Sequence, residues 1–468
     1  MTSLRHLLLV LFIFPVFGSI AQEKKLSIIS KKSLSENNAP HITGKLIINR
    51  KAGTIQADLK LSNLPALDTA FRIRLHHGMN IKFMEDSAGF VRFNSKSMGD
   101  IMDYRPYSNQ RYLVSPKTIR VSYIGAFPIY TDTMNLVDYK SIIALNGETF
   151  RATEESKWYP VVYDTKNDRE LEKVSYDISV SCEDCKMIYL NGSSAKPGPS
   201  ATFKSSIPRA LLLFAGNYDK QEFPGSDFLN AKMQDDIAAA FDQQITGIKT
   251  FYEKKLNVPY KEKIVFLEHK AIQNYGPNQS WGFVTFPTIA VAGLPFSKTI
   301  DPKTGKLNHF VRYSFYSHEL AHYYFGTVFV PNSTLRDFFI ESTAEYLAIK
   351  SAAQEYGKDS TKSTIKFKKG LLKENTIIPL SKFTDKDNMN DMYRYAYGPL
   401  LLLALEKRVG EEKIYRVLQN ALKYKDENSD YAFLKKIVKD SGISLTVWTE
   451  FESNVINESN PAKAFENL

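Results

Sequence analysis

Tyr316-Ser317-His318-Glu319-Leu320-Ala321-His322 opens the decisive stretch of this chain, and Glu341 closes it after eighteen intervening residues. On a helix, positions i and i+4 lie about 40° apart in azimuth, so His318 and His322 point the same way. Two imidazoles on one face can hold a zinc ion, and Glu341, arriving from a following helix, supplies a third ligand. Three protein ligands leave the fourth position for water, which separates a catalytic zinc from a structural one. Glu319 sits beside His318, where its carboxylate can take a proton from that water. The bland alternative is a buried helix with two satisfied histidines. The chain has only 8 His, and chance yields His-Glu-x-x-His in on the order of one such chain in a hundred. Requiring Glu at one fixed later position lowers that further.

The flanks carry a resemblance. Tyr316 to Gly326 is similar to the zinc helix of the aminopeptidase N and leukotriene hydrolase family of gluzincin peptidases, and Phe338-Phe339-Ile340-Glu341-Ser342-Thr343-Ala344-Glu345-Tyr346 is similar to its second zinc helix. The resemblance implies that Glu341 is the third ligand and that Glu345, one turn later, orients a zinc-bound histidine. It also implies a tyrosine that stabilises the oxyanion. Within Tyr393-Arg394-Tyr395-Ala396-Tyr397-Gly398, matching Gly398 to the family glycine places Tyr395 there, with Tyr393 and Tyr397 close on either side. The family's substrate strand resembles Gly276-Pro277-Asn278-Gln279-Ser280-Trp281-Gly282, where Trp281-Gly282 keeps the spacing. Gln279 then stands where the family has a glutamate that grips the substrate's α-amine. An amide contributes no charge, and losing one charge-assisted bond to an ammonium costs about 1.5–3 kcal/mol.

Working outward, residues 1–21 read as a signal peptide. Arg5 and His6 precede an apolar run from Leu7 to Phe17, and Ser19-Ile20-Ala21 is a small-x-small cleavage site. The run is too short to span a bilayer, and nothing later has the length or purity of a transmembrane helix. The expected location is exported, periplasmic or extracellular. A formal glycosylation sequon, Asn278-Gln279-Ser280, would put a glycan in the cleft, which leans toward a bacterial source. The net charge of +10 is dispersed and comes with no nucleic-acid motif. Cys182 and Cys185 are the only cysteines, and a local disulfide is the expectation for an exported chain. A zinc knuckle would need two more ligands nearby, and a thioredoxin-like role lacks its strand-turn-helix setting.

A chain of 468 residues is too long for one ordinary core. Residues 22–215 alternate apolar and polar in short runs such as Ile55-Gln56-Ala57-Asp58-Leu59-Lys60-Leu61, the pattern of antiparallel sheets with one wet face. Residues 216–468 read as a small mixed sheet followed by helices. Helical spacing covers 227–256, Lys263 to His269 reads as a strand, and Trp281 to Val291 reads as another with Pro287 at an edge. The lysine-rich run Lys358 to Lys373 reads as an exposed face or connector. The expected fold is α+β in two domains: an N-terminal antiparallel β saddle or sandwich, then a mainly helical, thermolysin-like zinc peptidase domain.

The resemblance thus implies a zinc metallopeptidase with one Zn2+, acting on peptide or protein substrates. Aminopeptidase and internal cleavage compete because of Gln279. The chain ends soon after Tyr395, without length for the helical C-terminal domain that roofs the site in longer relatives, so a more open cleft is expected. The alternative is a zinc-loaded module that binds peptides and hydrolyses them poorly. Related enzymes open an epoxide at such a site, and no sequence feature favours that here.

Overall fold

The structure, a computed structural model, describes residues 39–468 except 68–70, 115, 131–137, 167–168, 274–280, 294, 308, 374 and 385–386. The signal-peptide reading and Gln279 therefore lie outside the described residues.

Alternation in the N-terminal half becomes sheet. In Thr54–Ser62, Ile55, Ala57, Leu59 and Leu61 are buried while Gln56 and Lys60 face water. Val174–Cys182 buries every second residue in the same way. A seven-stranded sheet runs Ser200–Arg209, Val174–Cys182, His41–Asn49, Thr54–Ser62, Ile119–Ala126, Met79–Asp86, Gly89–Phe90. A six-stranded sheet built around Phe71–His76 and Ile101–Ser108 packs on it, and both feed one core that includes Trp158 and Tyr159. Among the described strands of this half the pairings are antiparallel, as the alternation predicts, except that His41–Asn49 runs parallel to Val174–Cys182. A parallel pair needs a long crossover, and here the connection holds the whole six-stranded sheet and four strands of the seven-stranded one. Cys182 and Cys185 are joined as a disulfide at the end of the latter strand.

A third sheet contains Thr149–Ala152, Leu213–Gly216 and Met187–Leu190. Its Tyr189, Leu212 and Phe214 pack against Leu229, Val265, Leu267 and Ala290 of the C-terminal half. Asn191 donates to the carbonyls of Thr285 and Phe286, each at 3.2 Å. The two halves thus meet through an apolar seam and a polar clamp on one hairpin.

That hairpin corrects the reading of Trp281 to Val291 as a single strand. Trp281–Thr285 and Thr288–Ala292 are two antiparallel strands joined at Phe286-Pro287. Proline fixes φ and lacks an N–H, so it suits the turn, where no ladder donor is needed. The sheet order is Lys220–Glu222, Ser226–Leu229, Ile264–Glu268, Thr288–Ala292, Trp281–Thr285, which leaves Trp281–Thr285 at an edge. The span 227–256 likewise divides into the strand Ser226–Leu229 and the helix Asp235–Leu256. Asp235 and Asp236 at the start of this helix, and Lys254 and Lys255 at its end, complement its dipole. Asn257, left-handed at φ 54°, stops it.

The rest is mainly helical and shares one large core with that helix. Gly398–Val409, Glu411–Lys423, Tyr431–Asp440 and Leu445–Phe451 are helices that bury apolar residues in that core. Lys358–Leu372 is a helix of fifteen residues rather than a connector, and it is only partly exposed. No helix among the described residues is long and apolar enough to cross a membrane.

Candidate active site

The helix Phe310–Ala321 carries the histidines. It buries Tyr313, Tyr316, Ser317, Leu320 and Ala321 and ends at His322. Its carbonyls find tyrosine donors: Tyr252 to Ser317 at 2.8 Å and Tyr260 to Leu320 at 3.1 Å. The helix is thereby anchored through its last turns. His318 and His322 are one turn apart, their rings 4.8 Å between centroids.

Glu341 closes the cluster. Its Oε2 lies 3.3 Å from His318 Nε2 and 3.7 Å from His322 Nε2. One donor atom from each of His318, His322 and Glu341 falls within 4.8 Å of the others. The remaining imidazole nitrogens are occupied elsewhere. His318 Nδ1 lies 2.9 Å from Glu345 Oε2, and His322 Nδ1 lies 3.3 Å from the Phe325 carbonyl. Acceptors at Nδ1 favour the proton there, which leaves Nε2 of each ring as the nitrogen that can ligate a metal.

Two π-helical turns build the other wall. Phe338–Ser342 carries Glu341, and Tyr393–Tyr397 carries Tyr395. Such turns bulge a side chain out of helical register, a frequent device at functional sites. They are held together by Ser342 Oγ donating to the Arg394 carbonyl at 2.8 Å and by Arg394 pairing with Asp337 at 2.9 Å. Gly398 is where they touch: a Cβ there would sit 2.0 Å from Ser342 Oγ and 2.5 Å from Ser342 Cβ. Gly398→Ala is expected to destabilise the fold by about 1–3 kcal/mol, the usual cost of overpacking. It is expected to weaken metal binding as well, because it separates the turns that carry Glu341 and Tyr395. Urea unfolding checks the first effect, and an unchanged midpoint would contradict the close packing.

Of the three neighbouring tyrosines, Tyr395 faces the cluster. Its ring is 5.8 Å from that of His318, and its hydroxyl is close enough to the Glu341 carboxylate to feel its charge. Burial, aided by the Glu341 charge, raises its pKa, so it stays a donor. Tyr393 and Tyr397 turn into the core against Phe383 and Phe465 respectively, and both are nearly fully buried.

Charge in the cluster is shared. Burial pushes the Glu341 carboxyl up, but the two histidines outweigh it and hold it at about 2. Burial pushes the His318 imidazole down, yet its bonds to Glu341 and Glu345 raise it overall. Burial drives Glu319 up to about 7, against the pull of His318 and with the help of the Glu341 and Glu345 charges. Glu319 is half-buried and near enough for its own charge to act on Tyr395.

The residue that sequence reading missed is Lys368. It belongs to the lysine-rich helix, yet it is buried and its Nζ lies 2.6 Å from Glu345 Oε1. It also donates to the Tyr395 carbonyl. Burial pushes the Glu345 carboxyl up, and the Lys368 charge with the His318 hydrogen bond brings it back to about 2. Nothing in the local pattern separates Lys368 from Lys366 or Lys369; its role comes from the fold.

Trp281 and Gly282 begin the edge strand. A Cβ on Gly282 would lie 2.8 Å from the Ala290 carbonyl, so the strand admits no side chain there. Arg151 lies over the Trp281 ring at 4.9 Å and pairs with Asp138 at 2.7 Å, while His269 packs edge-on at 5.5 Å. Thr285 donates to Glu154 at 3.0 Å. The turn of the hairpin rests on Tyr323, next to His322, through Phe286 at 6.1 Å. Strand and histidine helix are thereby fixed to each other. Sequence reading also missed Arg151, Asp138 and Glu154, which come from the other half of the chain and share no motif with the strand they hold.

Two imidazoles and one carboxylate within mutual reach fit a divalent cation with one open coordination position. The pull that Glu341 and Glu345 exert on a proton of His318 is the pull they would exert on a metal cation. No protein-family model and no curated protein sequence matches this chain. Solved structures do share its fold. Leukotriene A4 hydrolase from Saccharomyces cerevisiae superposes with a TM-score of 0.60 at 12% identity, over 94% of this chain and 71% of that one. The M1 zinc metallopeptidase from Deinococcus radiodurans gives 0.57 at 14% identity, over 88% and 92%. A mutant of that enzyme bound to a Tyr-Ser-Ala substrate gives 0.59 at 15%, over 90% and 94%. The chain therefore has the two-part fold of the M1 zinc peptidases and leukotriene A4 hydrolase: a β-rich N-terminal part and a helical C-terminal part.

Proposed function

We propose that this chain is an exported zinc metallopeptidase that hydrolyses peptide bonds at the His318, His322 and Glu341 cluster. The observation that carries the reading is the convergence of the three donors with Glu319 beside them and the Tyr395 ring against His318. Held there, zinc would polarise the scissile carbonyl and acidify a water molecule.

The protein's own groups do the remaining work. Glu319 takes a proton from the attacking water and passes it to the amine nitrogen as the C–N bond breaks. Tyr395 donates its hydroxyl hydrogen bond to the oxygen where negative charge develops. Glu345 keeps the His318 ring turned for ligation. Trp281–Thr285, at the sheet edge among the described residues, would offer backbone groups to an extended peptide. Anchoring of a substrate amine would fall to Gln279. Because an amide brings no charge, the proposed specificity does not depend on a free N-terminus, and internal cleavage is open to it. Export rests on residues 1–21, and the Cys182–Cys185 bond suits an oxidising compartment.

Metal removal tests the reading. Dialysis against a zinc chelator is expected to abolish hydrolysis of an internally quenched peptide, and stoichiometric zinc is expected to restore it. Undiminished hydrolysis by protein verified to be free of metal would overturn the proposal.

A further inference from the structure

The helix Lys358–Leu372 spends one lysine where none is needed for solubility. Lys362 on the same helix has a side chain 78% exposed and pairs with Asp359 at the surface, whereas the Lys368 side chain is 7% exposed. Burying an ammonium is costly unless its protons meet acceptors. Here they meet two acceptors from different elements. One is Glu345 Oε1 at 2.6 Å, on the helix Thr343–Tyr356. The other is the Tyr395 carbonyl, inside the π turn.

Both branches lead to the site. On the first, the other Glu345 oxygen lies 2.9 Å from His318 Nδ1, so Lys368, Glu345 and the imidazole form one line of contacts. A carboxylate with two oxygens committed to two fixed donors has little freedom to rotate. On the second branch, the contact fixes the backbone of Tyr395, whose ring lies 5.8 Å from that of His318. The second turn is otherwise attached to the first through Arg394 and Gly398, on either side of Tyr395.

We infer that Lys368 is a positioning residue that holds the metal-binding imidazole of His318 and the Tyr395 hydroxyl in register with each other. It touches neither metal nor substrate. The inference rests on the zinc-site reading above. Removing Lys368 frees Glu345 to turn and leaves the Tyr395 carbonyl without its donor, so two properties should change together. Metal affinity should fall roughly 10- to 100-fold, the usual effect of losing a partner behind a ligand. Turnover should fall even at saturating zinc, with KM little altered, because the oxyanion donor is displaced.

The experiment compares Lys368→Met, Lys368→Arg and Lys362→Met in the full mature chain. Zinc affinity is read by competition with a chromophoric chelator, and kcat and KM are read on an internally quenched peptide at saturating zinc. Lys368→Met should lose both affinity and kcat, Lys368→Arg should recover a large part of each, and Lys362→Met should match wild type. If Lys368→Met fails to fold, Lys368→Gln, which keeps donors but no charge, takes its place with the same expected losses. Wild-type zinc affinity in a folded Lys368 variant would overturn the inference, as would full recovery of kcat on adding zinc. Wild-type protein that binds no zinc would instead overturn the reading of the site on which the inference stands.

Discussion

Glu319→Gln should retain zinc and lose peptide hydrolysis by about 10²- to 10⁴-fold, the range that a positioned general base contributes. Gln has the shape of Glu but cannot accept a proton at neutral pH. None of the three donor atoms of the cluster comes from Glu319, so metal content should stay at the wild-type level. The side chain is half-buried and is pushed up to about 7 by that burial, against His318 and with Glu341 and Glu345. Removing a charge that burial disfavours should leave the variant no less stable than wild type. Metal analysis, thermal unfolding and a rate assay on one preparation check all three statements. Wild-type turnover in the variant would move the base elsewhere.

Tyr395→Phe should lower kcat by about 10²- to 10³-fold, as loss of one oxyanion donor does, and should leave KM and zinc content nearly unchanged. The ring remains to pack beside His318 at 5.8 Å, so only the hydroxyl is lost. Burial and the Glu341 charge raise its pKa, so the group it removes is a donor throughout the working pH range. Tyr393→Phe and Tyr397→Phe serve as comparisons. Their hydroxyls lie in the core and reach no hydrogen-bond partner among the described residues. Turnover should survive both. A larger loss from either than from Tyr395→Phe would reassign the donor.

What was legible in the sequence was local. His318, Glu319 and His322 are related by one helical turn, and a helix converts that spacing into a shared face whatever surrounds it. The alternation in Thr54–Ser62 needs only a strand to put Ile55 and Leu59 inside. What was not legible depends on partners far along the chain. Lys368 differs from its neighbouring lysines only because Glu345 and Tyr395 lie opposite it. Gly398 reads as part of a motif, and its physical necessity appears only when Ser342 is found where a Cβ would go. The parallel pairing of His41–Asn49 with Val174–Cys182 leaves no mark in either strand. The turn at Phe286-Pro287 was hidden because apolar residues run through it, without the glycine or asparagine that advertises many hairpins.

Mass spectrometry of a mixed peptide library digested by the mature protein, beside its Glu319→Gln variant, tests the central claim most directly. Cleaved peptides from the zinc-loaded wild type and none from the variant are the predicted result. Stepwise loss of N-terminal residues would assign an aminopeptidase whose amine anchor is a group other than Gln279, and internal cuts would assign an endopeptidase. An uncut library from zinc-loaded wild-type protein would contradict the account and leave a metal-holding peptide-binding module in its place.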